Sequence, residues 1–203
     1  MIGLPIPGSL LRVNFDLYDI SYLAEGSPRQ RRAFQALQEA AVFVRLAAND
    51  GAVALAGSLP IDMALDDSDV DLVTSVEDLR AAAVRDRELF GTYEGFHSSR
   101  GVGLGGQFQL TKFRHSGESF EIFTQTIPIP RQNAVVHLLV EARLLGLGGS
   151  AFRDRVMRAR EAGLKTEPAF GACLGLEDPL RELLELEDLT DQELRARFAE
   201  RLT

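Results

Sequence analysis

The stretch A-V-A-L-A-G-S-L-P-I-D-M-A-L-D-D-S-D-V-D-L-V-T, residues 52–74, decides the fold. It reads as a short apolar strand, a Gly57-Ser58 turn, an acidic loop and a second strand carrying Asp69 and Asp71. Side chains alternate along a strand, so Asp69 and Asp71 share one face while Val70 and Leu72 point into the opposite, apolar layer. Two carboxylates side by side repel unless a positive charge sits between them. A divalent cation with oxygen ligands is the natural neutraliser, and Mg²⁺ commonly brings substrate phosphates with it. Gly57 gives a backbone that a ligand can approach closely, and Ser58 adds a hydroxyl able to meet a phosphate oxygen. The alternative is a polar strand edge after an ordinary tight turn. Against it, the aspartates run into Val70, Leu72 and Val73, and residues 62–71 hold five aspartates.

Gly57-Ser58, ten intervening residues and then Asp69-Val70-Asp71 resembles the signature of the nucleotidyltransferase superfamily that includes DNA polymerase beta and the aminoglycoside nucleotidyltransferases. The resemblance implies a third carboxylate on a later strand, and Glu121 in Ser119-Phe120-Glu121-Ile122-Phe123 fits that place. More narrowly, the chain is similar to a family of small bacterial nucleotidyltransferase-like proteins with no assigned activity. That similarity rests on the Gly-Ser…Ser-Asp-x-Asp segment, the Glu121-Ile122-Phe123 strand, Pro128-Ile129-Pro130, Gln132-Asn133-Ala134 and Lys165-Thr166-Glu167-Pro168-Ala169-Phe170. It extends over residues 30–185.

The length of 203 residues suits one moderately large domain with a helical appendage, and 45% hydrophobic residues can supply a core. A net charge of −8 argues against broad, sequence-independent nucleic-acid binding, which needs a basic face to release counterions. The basic residues are 20 Arg and only 2 Lys, Lys112 and Lys165, so the lysines carry more signal than any single arginine. One cysteine, Cys173, allows no internal disulfide, and neither a basic leader nor an apolar run of membrane-span length is evident. A cytoplasmic protein is expected.

Residues 10–22 mix apolar and polar positions without a clean period and read as a short strand or a docked arm. Ser27 caps a helix with Pro28 at its first position, and apolar spacing carries that helix to Asn49. Arg29, Arg31 and Arg32 in its first turns read as a solvated face, or as one that meets a phosphate or a partner. Ser75 to Asp78 looks like a capping box for the next helix. Residues 91–101 read as a loop, and Gly101 to Gly106 matches G-x-G-x-x-G without the strand-then-helix context of a dinucleotide site. Residues 107–111 alternate like a strand, joined by a turn at Ser116-Gly117-Glu118 to the Glu121 strand. Glu121 then pairs with Lys112 or Arg114 across the hairpin, or ligates metal.

The remainder reads as helical. Asn133, His137 and Glu141 form a polar stripe, and His137 lines a nucleotide pocket or is a buried histidine satisfied by its helix neighbour. A Gly-rich break at 146–149 follows, then a helix over 150–162, one capped by Thr166, and two short ones after Asp178 and Thr190.

The expected fold is α/β (α+β): a small mixed sheet with helices on one side over residues 1–130, followed by a helical portion over 131–203. The resemblance implies a metal-dependent nucleotidyltransferase, moving a nucleoside monophosphate from an NTP to a small-molecule or macromolecular acceptor. Asp69, Asp71 and Glu121 would be its catalytic and metal-binding residues, with Mg²⁺ or Mn²⁺. Gly57, Ser58, Lys112, His137 and Lys165 would serve nucleotide and phosphate. A homodimer is compatible with the sequence. The alternative is a catalytically idle member of the fold that binds a nucleotide or a protein partner, in the manner of an antitoxin.

Overall fold

The computed structural model describes residues 16–203, so most of the stretch preceding Leu17 lies outside the described residues. The chain divides into two compact units, Leu17–Val135 and, among the described residues, Asp16 with Val136–Thr203.

The first unit is built on a five-stranded sheet: β1 (Val53–Leu55), β2 (Val70–Ser75), β3 (Glu94–Gly103), β4 (Gly106–His115) and β5 (Glu118–Gln125). Their spatial order is β1-β2-β5-β4-β3. β2 runs parallel to β5 and every other pairing is antiparallel, which makes the sheet mixed. Helices α1 (Pro28–Glu39), α2 (Val42–Asp50) and α3 (Leu79–Phe90) belong to this unit. The core joins Leu37 of α1, Leu46 of α2 and Phe90 of α3 to Val70, Leu72, Phe113, Phe120 and Ile122 of the sheet. Phe113 stacks between Phe90 and Phe120, at centroid distances of 4.7 and 4.9 Å. The alternation of β2 and β5 therefore buries one face, as expected from the sequence.

Several local expectations change. The single helix expected from Ser27 to Asn49 is two, because Ala41 turns left-handed (φ 50°) between α1 and α2. Ser27 does cap α1, in a reciprocal box with Gln30. α3 is capped by Asp78, whose carboxylate accepts from the Arg80 N–H, and not by Ser75, which is still paired to Gln125 in the sheet. The loop expected over 91–101 is the edge strand β3, closed onto β4 by Leu104 and Gly105. Ser116 and Gly117 make the β4–β5 turn, both at positive φ, as a tight hairpin matching the strand twist requires. Of the expected amino-terminal strand or arm, the described part includes a bond from the Leu55 N–H to the Leu17 carbonyl (2.9 Å) and a 3₁₀ turn at Ser21–Glu25.

The second unit is helical: α4 (Asn133–Glu161) from Val136 onward, α5 (Thr166–Leu174), α6 (Pro179–Glu185) and α7 (Asp191–Arg197). Gly149 (φ 62°, ψ −158°) breaks α4 where the Gly-rich stretch predicted a break. By length and composition α4 could cross a membrane, with a mean hydropathy of 1.4 over its most apolar window, although the sequence suggested no such run. More than half of that window, 56%, is buried in the protein. Arg143 is 1% exposed and fastens α4 to the α6–α7 connection through Asp191 Oδ1 and the Glu187 and Leu189 carbonyls. Lys165, and not Thr166, occupies the cap position of α5. Thr190 and Glu193 form a capping box on α7, whereas at α6 Glu182 reaches back to the Asp178 N–H.

Candidate active site

Parallel register places Asp71 beside Glu121, and antiparallel register places Glu121 beside Lys112 and Lys112 beside His97. Register partners share a face, so Asp71, Glu121, Lys112 and His97 form one row across four strands. The next row on that face is Val73, Phe123, Leu110 and Ser99. The opposite face carries the buried Leu72, Ile122 and Thr111. The sheet thus sets an accessible line of two acids, a lysine and a histidine against a buried support, apolar at Leu72 and Ile122 and hydrogen-bonded at Thr111, whose hydroxyl donates to Asp86 (2.6 Å). Asp69 sits one residue before β2 rather than within it.

Glu121 and Lys112 form an ion pair of 2.5 Å, with the lysine side chain 45% exposed and the glutamate 24%. The hydrogen bond that Lys112 donates to the Glu121 carboxylate holds the lysine pKa above its usual range. Partial burial opposes this, and the Asp69 and Asp71 charges add to it. Lys112 is thus the local cation of a three-carboxylate neighbourhood.

Asp71 is fixed from the other side by Gly57. That glycine has φ +67°, and a Cβ built on it would fall 2.0 Å from Asp71 Oδ2. The carboxylate therefore lies directly over the Gly57 backbone, a closeness only glycine permits. Ser58 is 4% exposed, and its carbonyl accepts from the Met63 N–H (3.0 Å) to close the turn.

The acidic loop between the turn and β2 is pinned by α1. Arg29, 6% exposed, donates to the Leu65 carbonyl (3.0 Å) and the Ser68 carbonyl (2.7 Å), and pairs with Glu118 (2.8 Å). Gln30 donates to the Leu59 carbonyl (2.9 Å), and Arg32 pairs with Asp66. The solvated face expected for this arginine cluster is therefore wrong for Arg29. Its partners are 36 and 39 residues away and are mostly backbone carbonyls, which no local pattern signals. The one sequence clue was its placement at a helix start, where the dipole disfavours an unpaired cation.

His137 and Lys165 belong to the helical unit. The expected partner of His137 was Glu141. Instead His137 Nε2 meets the Leu180 carbonyl (2.9 Å) and Nδ1 faces Glu167 (3.5 Å). Burial works against charge on Glu167, but the His137 contact and its own backbone N–H outweigh it and lower its pKa. Glu141 is 2% exposed with Oε1 lacking a hydrogen-bond partner, and burial pushes its pKa well above the glutamate range, with the Glu167 charge adding. Lys165 is exposed at the start of α5.

The donor chemistry of Asp69, Asp71 and Glu121 suits a hard divalent cation, and Lys112 shows that this position draws positive charge. Among the described residues no three acidic, histidine or cysteine side chains are gathered as a ready metal cage. A metal there would replace Lys112 at Glu121. A separate cavity of about 290 Å³, lined by Asp78, Arg80, Arg100 and Phe108 among others, includes none of the row.

The fold resembles that of polymerase beta-like nucleotidyltransferases. A structure of the GLD-2/RNP-8 complex superposes with a TM-score of 0.51 at 9% identity, over 91% of this chain and 71% of that one. A cytoplasmic RNA terminal U-transferase gives 0.48 at 16% identity over 68% of this chain, and the polymerase core of TRAMP, an RNA surveillance complex, gives 0.44 at 13%. The chain spans 44% of the length of that U-transferase. No curated protein matches the sequence significantly. Residues 35–186 match the model of a domain of unknown function, DUF4269, and the chain belongs to that family.

Proposed function

We propose that this protein is a metal-dependent nucleotidyltransferase that moves a nucleoside monophosphate from an NTP to an acceptor hydroxyl, breaking the α–β phosphoanhydride bond and releasing pyrophosphate. The observation that carries the reading is the row Asp71–Glu121–Lys112 on the accessible face of a nucleotidyltransferase-like sheet, with Asp69 and the Gly57-Ser58 turn beside it. Asp69 and Asp71 would supply carboxylate oxygens to Mg²⁺ or Mn²⁺, and Glu121 would join them once released from Lys112. Such an ion, when bound, neutralises phosphate charge and lowers the pKa of an acceptor hydroxyl. Gly57 seats the Asp71 carboxylate, and the turn would offer its backbone to phosphate oxygens, the Ser58 hydroxyl joining only if the turn opens, since Ser58 is 4% exposed. Glu121 would also take up the proton that the acceptor hydroxyl loses. With a net charge of −8, a small molecule or a locally recognised macromolecule fits as acceptor better than bulk nucleic acid.

One observation favours a second reading. Glu121 is already neutralised by Lys112, and no three-ligand cage is preformed among the described residues. That suits a catalytically idle fold binding a nucleotide or a protein partner.

Thermal stabilisation by ATP, GTP, CTP and UTP, each with and without Mg²⁺ or Mn²⁺, tests the proposal. It is run on the native protein and on the Asp69→Asn/Asp71→Asn double variant. Metal-dependent stabilisation by a nucleotide, absent from the double variant, is expected. Equal shifts in both proteins would remove the aspartates from the site, and stabilisation independent of metal would favour the idle reading.

A further inference from the structure

We propose that Lys112 is a displaceable internal counter-ion. It occupies the cation position at Glu121 in the free protein, yields it to an incoming divalent ion, and then serves the phosphates of the bound nucleotide. The inference rests on the metal-site reading above and adds to it the group that metal must displace.

Three observations support it. The first is position. Lys112 stands next to Glu121 in register, and Glu121 stands next to Asp71, so the ammonium lies at the end of the acidic row rather than on an unrelated surface. The second is accessibility. The Lys112 side chain is 45% exposed, so it can swing into solvent without opening the core beneath Ile122 and Thr111. The third is residue type. In a chain with 20 arginines and 2 lysines, the cation here is a lysine. An arginine could grip a carboxylate with two parallel bonds and would be hard to dislodge. A lysine makes a point contact on a flexible stem, and the freed ammonium is a good phosphate donor. Arg29 and Arg143, the residues that tie elements together permanently, are both buried arginines held by several acceptors.

A partly exposed ion pair of this kind is a weak lock, and a divalent ion on three carboxylates can outcompete it. Removing the lysine should therefore help metal alone and harm metal with nucleotide. This opposite-sign pair of effects would not come from a purely structural lysine.

The test is Mn²⁺ binding followed by electron paramagnetic resonance, without nucleotide and then with each of the four NTPs. The proteins compared are the native form, Lys112→Met, Lys112→Arg and Asp71→Asn. Lys112→Met should bind Mn²⁺ alone several-fold tighter than the native protein, and should lose part of the gain that nucleotide gives the native protein. Lys112→Arg should bind Mn²⁺ alone no tighter than native. Equal or weaker Mn²⁺ binding by Lys112→Met, with binding lost in Asp71→Asn, would overturn the counter-ion role and leave the metal site standing. Absence of Mn²⁺ binding in every protein, Lys112→Met included, would overturn both.

Discussion

Replacing Gly57 by alanine tests whether the Asp71 carboxylate is seated on the Gly57 backbone. Two costs add. An alanine held at φ +67° pays for the left-handed conformation, about 1–2 kcal/mol. Its Cβ would also fall 2.0 Å from Asp71 Oδ2 and 2.9 Å from Asp71 Cγ, so the carboxylate or the turn must shift. Crowding of this kind costs about 1–3 kcal/mol, giving a total of roughly 2–5 kcal/mol from these two terms. Gly51 provides an internal control, because it has φ +77° but nothing within 4 Å of its added Cβ. Gly51→Ala should therefore cost only the conformational part, about 1–2 kcal/mol. Chemical denaturation of both variants reads the difference. Gly57→Ala in an Asp71→Ala background should recover most of the excess, since the clashing oxygens are gone, and a coupling of about 1–3 kcal/mol is expected from the cycle. A Gly57→Ala cost equal to that of Gly51→Ala, with no coupling to Asp71, would refute the seating of the carboxylate.

Other expectations concern the supports of the site and the helical unit. Arg29→Ala should destabilise by about 3–5 kcal/mol, because buried Glu118 keeps only a 3.9 Å contact with Arg32 and the Leu65 and Ser68 carbonyls lose their donor. The loop over 62–69 should become the first site of limited proteolysis, and unchanged cleavage would contradict its pinning by α1. Glu141 in the folded protein binds its proton more tightly than an unfolded glutamate near 4.5. Its contribution is therefore complete below that pH and lost as pH climbs toward the raised value. Glu141→Gln should accordingly flatten the fall in melting temperature between pH 5 and 8. Parallel pH profiles for native and variant proteins would show that Glu141 does not titrate with folding.

The parts of the structure governed by short-range rules were legible in the sequence. Period-two alternation gave β2 and β5 their buried faces, Ser27-Pro28 marked the start of α1, and the glycines before Ser150 marked the break in α4. The mixed sheet and the nucleotidyltransferase-like fold followed from Gly57-Ser58 and Asp69-x-Asp71 together with Glu121. What escaped depended on distant partners. β3 shows no clean alternation, with Phe96 and Val102 scattered among polar residues and three glycines, and its pairing with β4 makes it a strand. Ser75 and Asp78 are both good caps, and the choice fell to Asp78 because β5 holds Ser75 in the sheet. Ala41 carries no local signal for a left-handed turn. In the site, the hairpin already made Lys112 a candidate partner of Glu121, but the adjacency of Asp71 to Glu121 needed the parallel register of β2 with β5, which spacing alone does not supply.

The parallel contact of β2 with β5 has a bearing on how the acidic row comes into being. β3, β4 and β5 are joined by two tight turns, so their pairing closes only short loops. Joining β2 to β5 brings together residues about 50 apart, such as Thr74 and Thr124, whose hydroxyls then bond at 2.9 Å. Closing a segment of that length costs about 3.5 kcal/mol in chain entropy beyond a constant term. Non-local pairing of this kind is intrinsically slow. Asp71 meets Glu121 only at that step. A nascent chain that has formed the β3–β4–β5 meander already holds the Lys112–Glu121 pair on neighbouring strands. It therefore carries a neutralised glutamate from the outset, and the like charges face one another only when the sheet is complete.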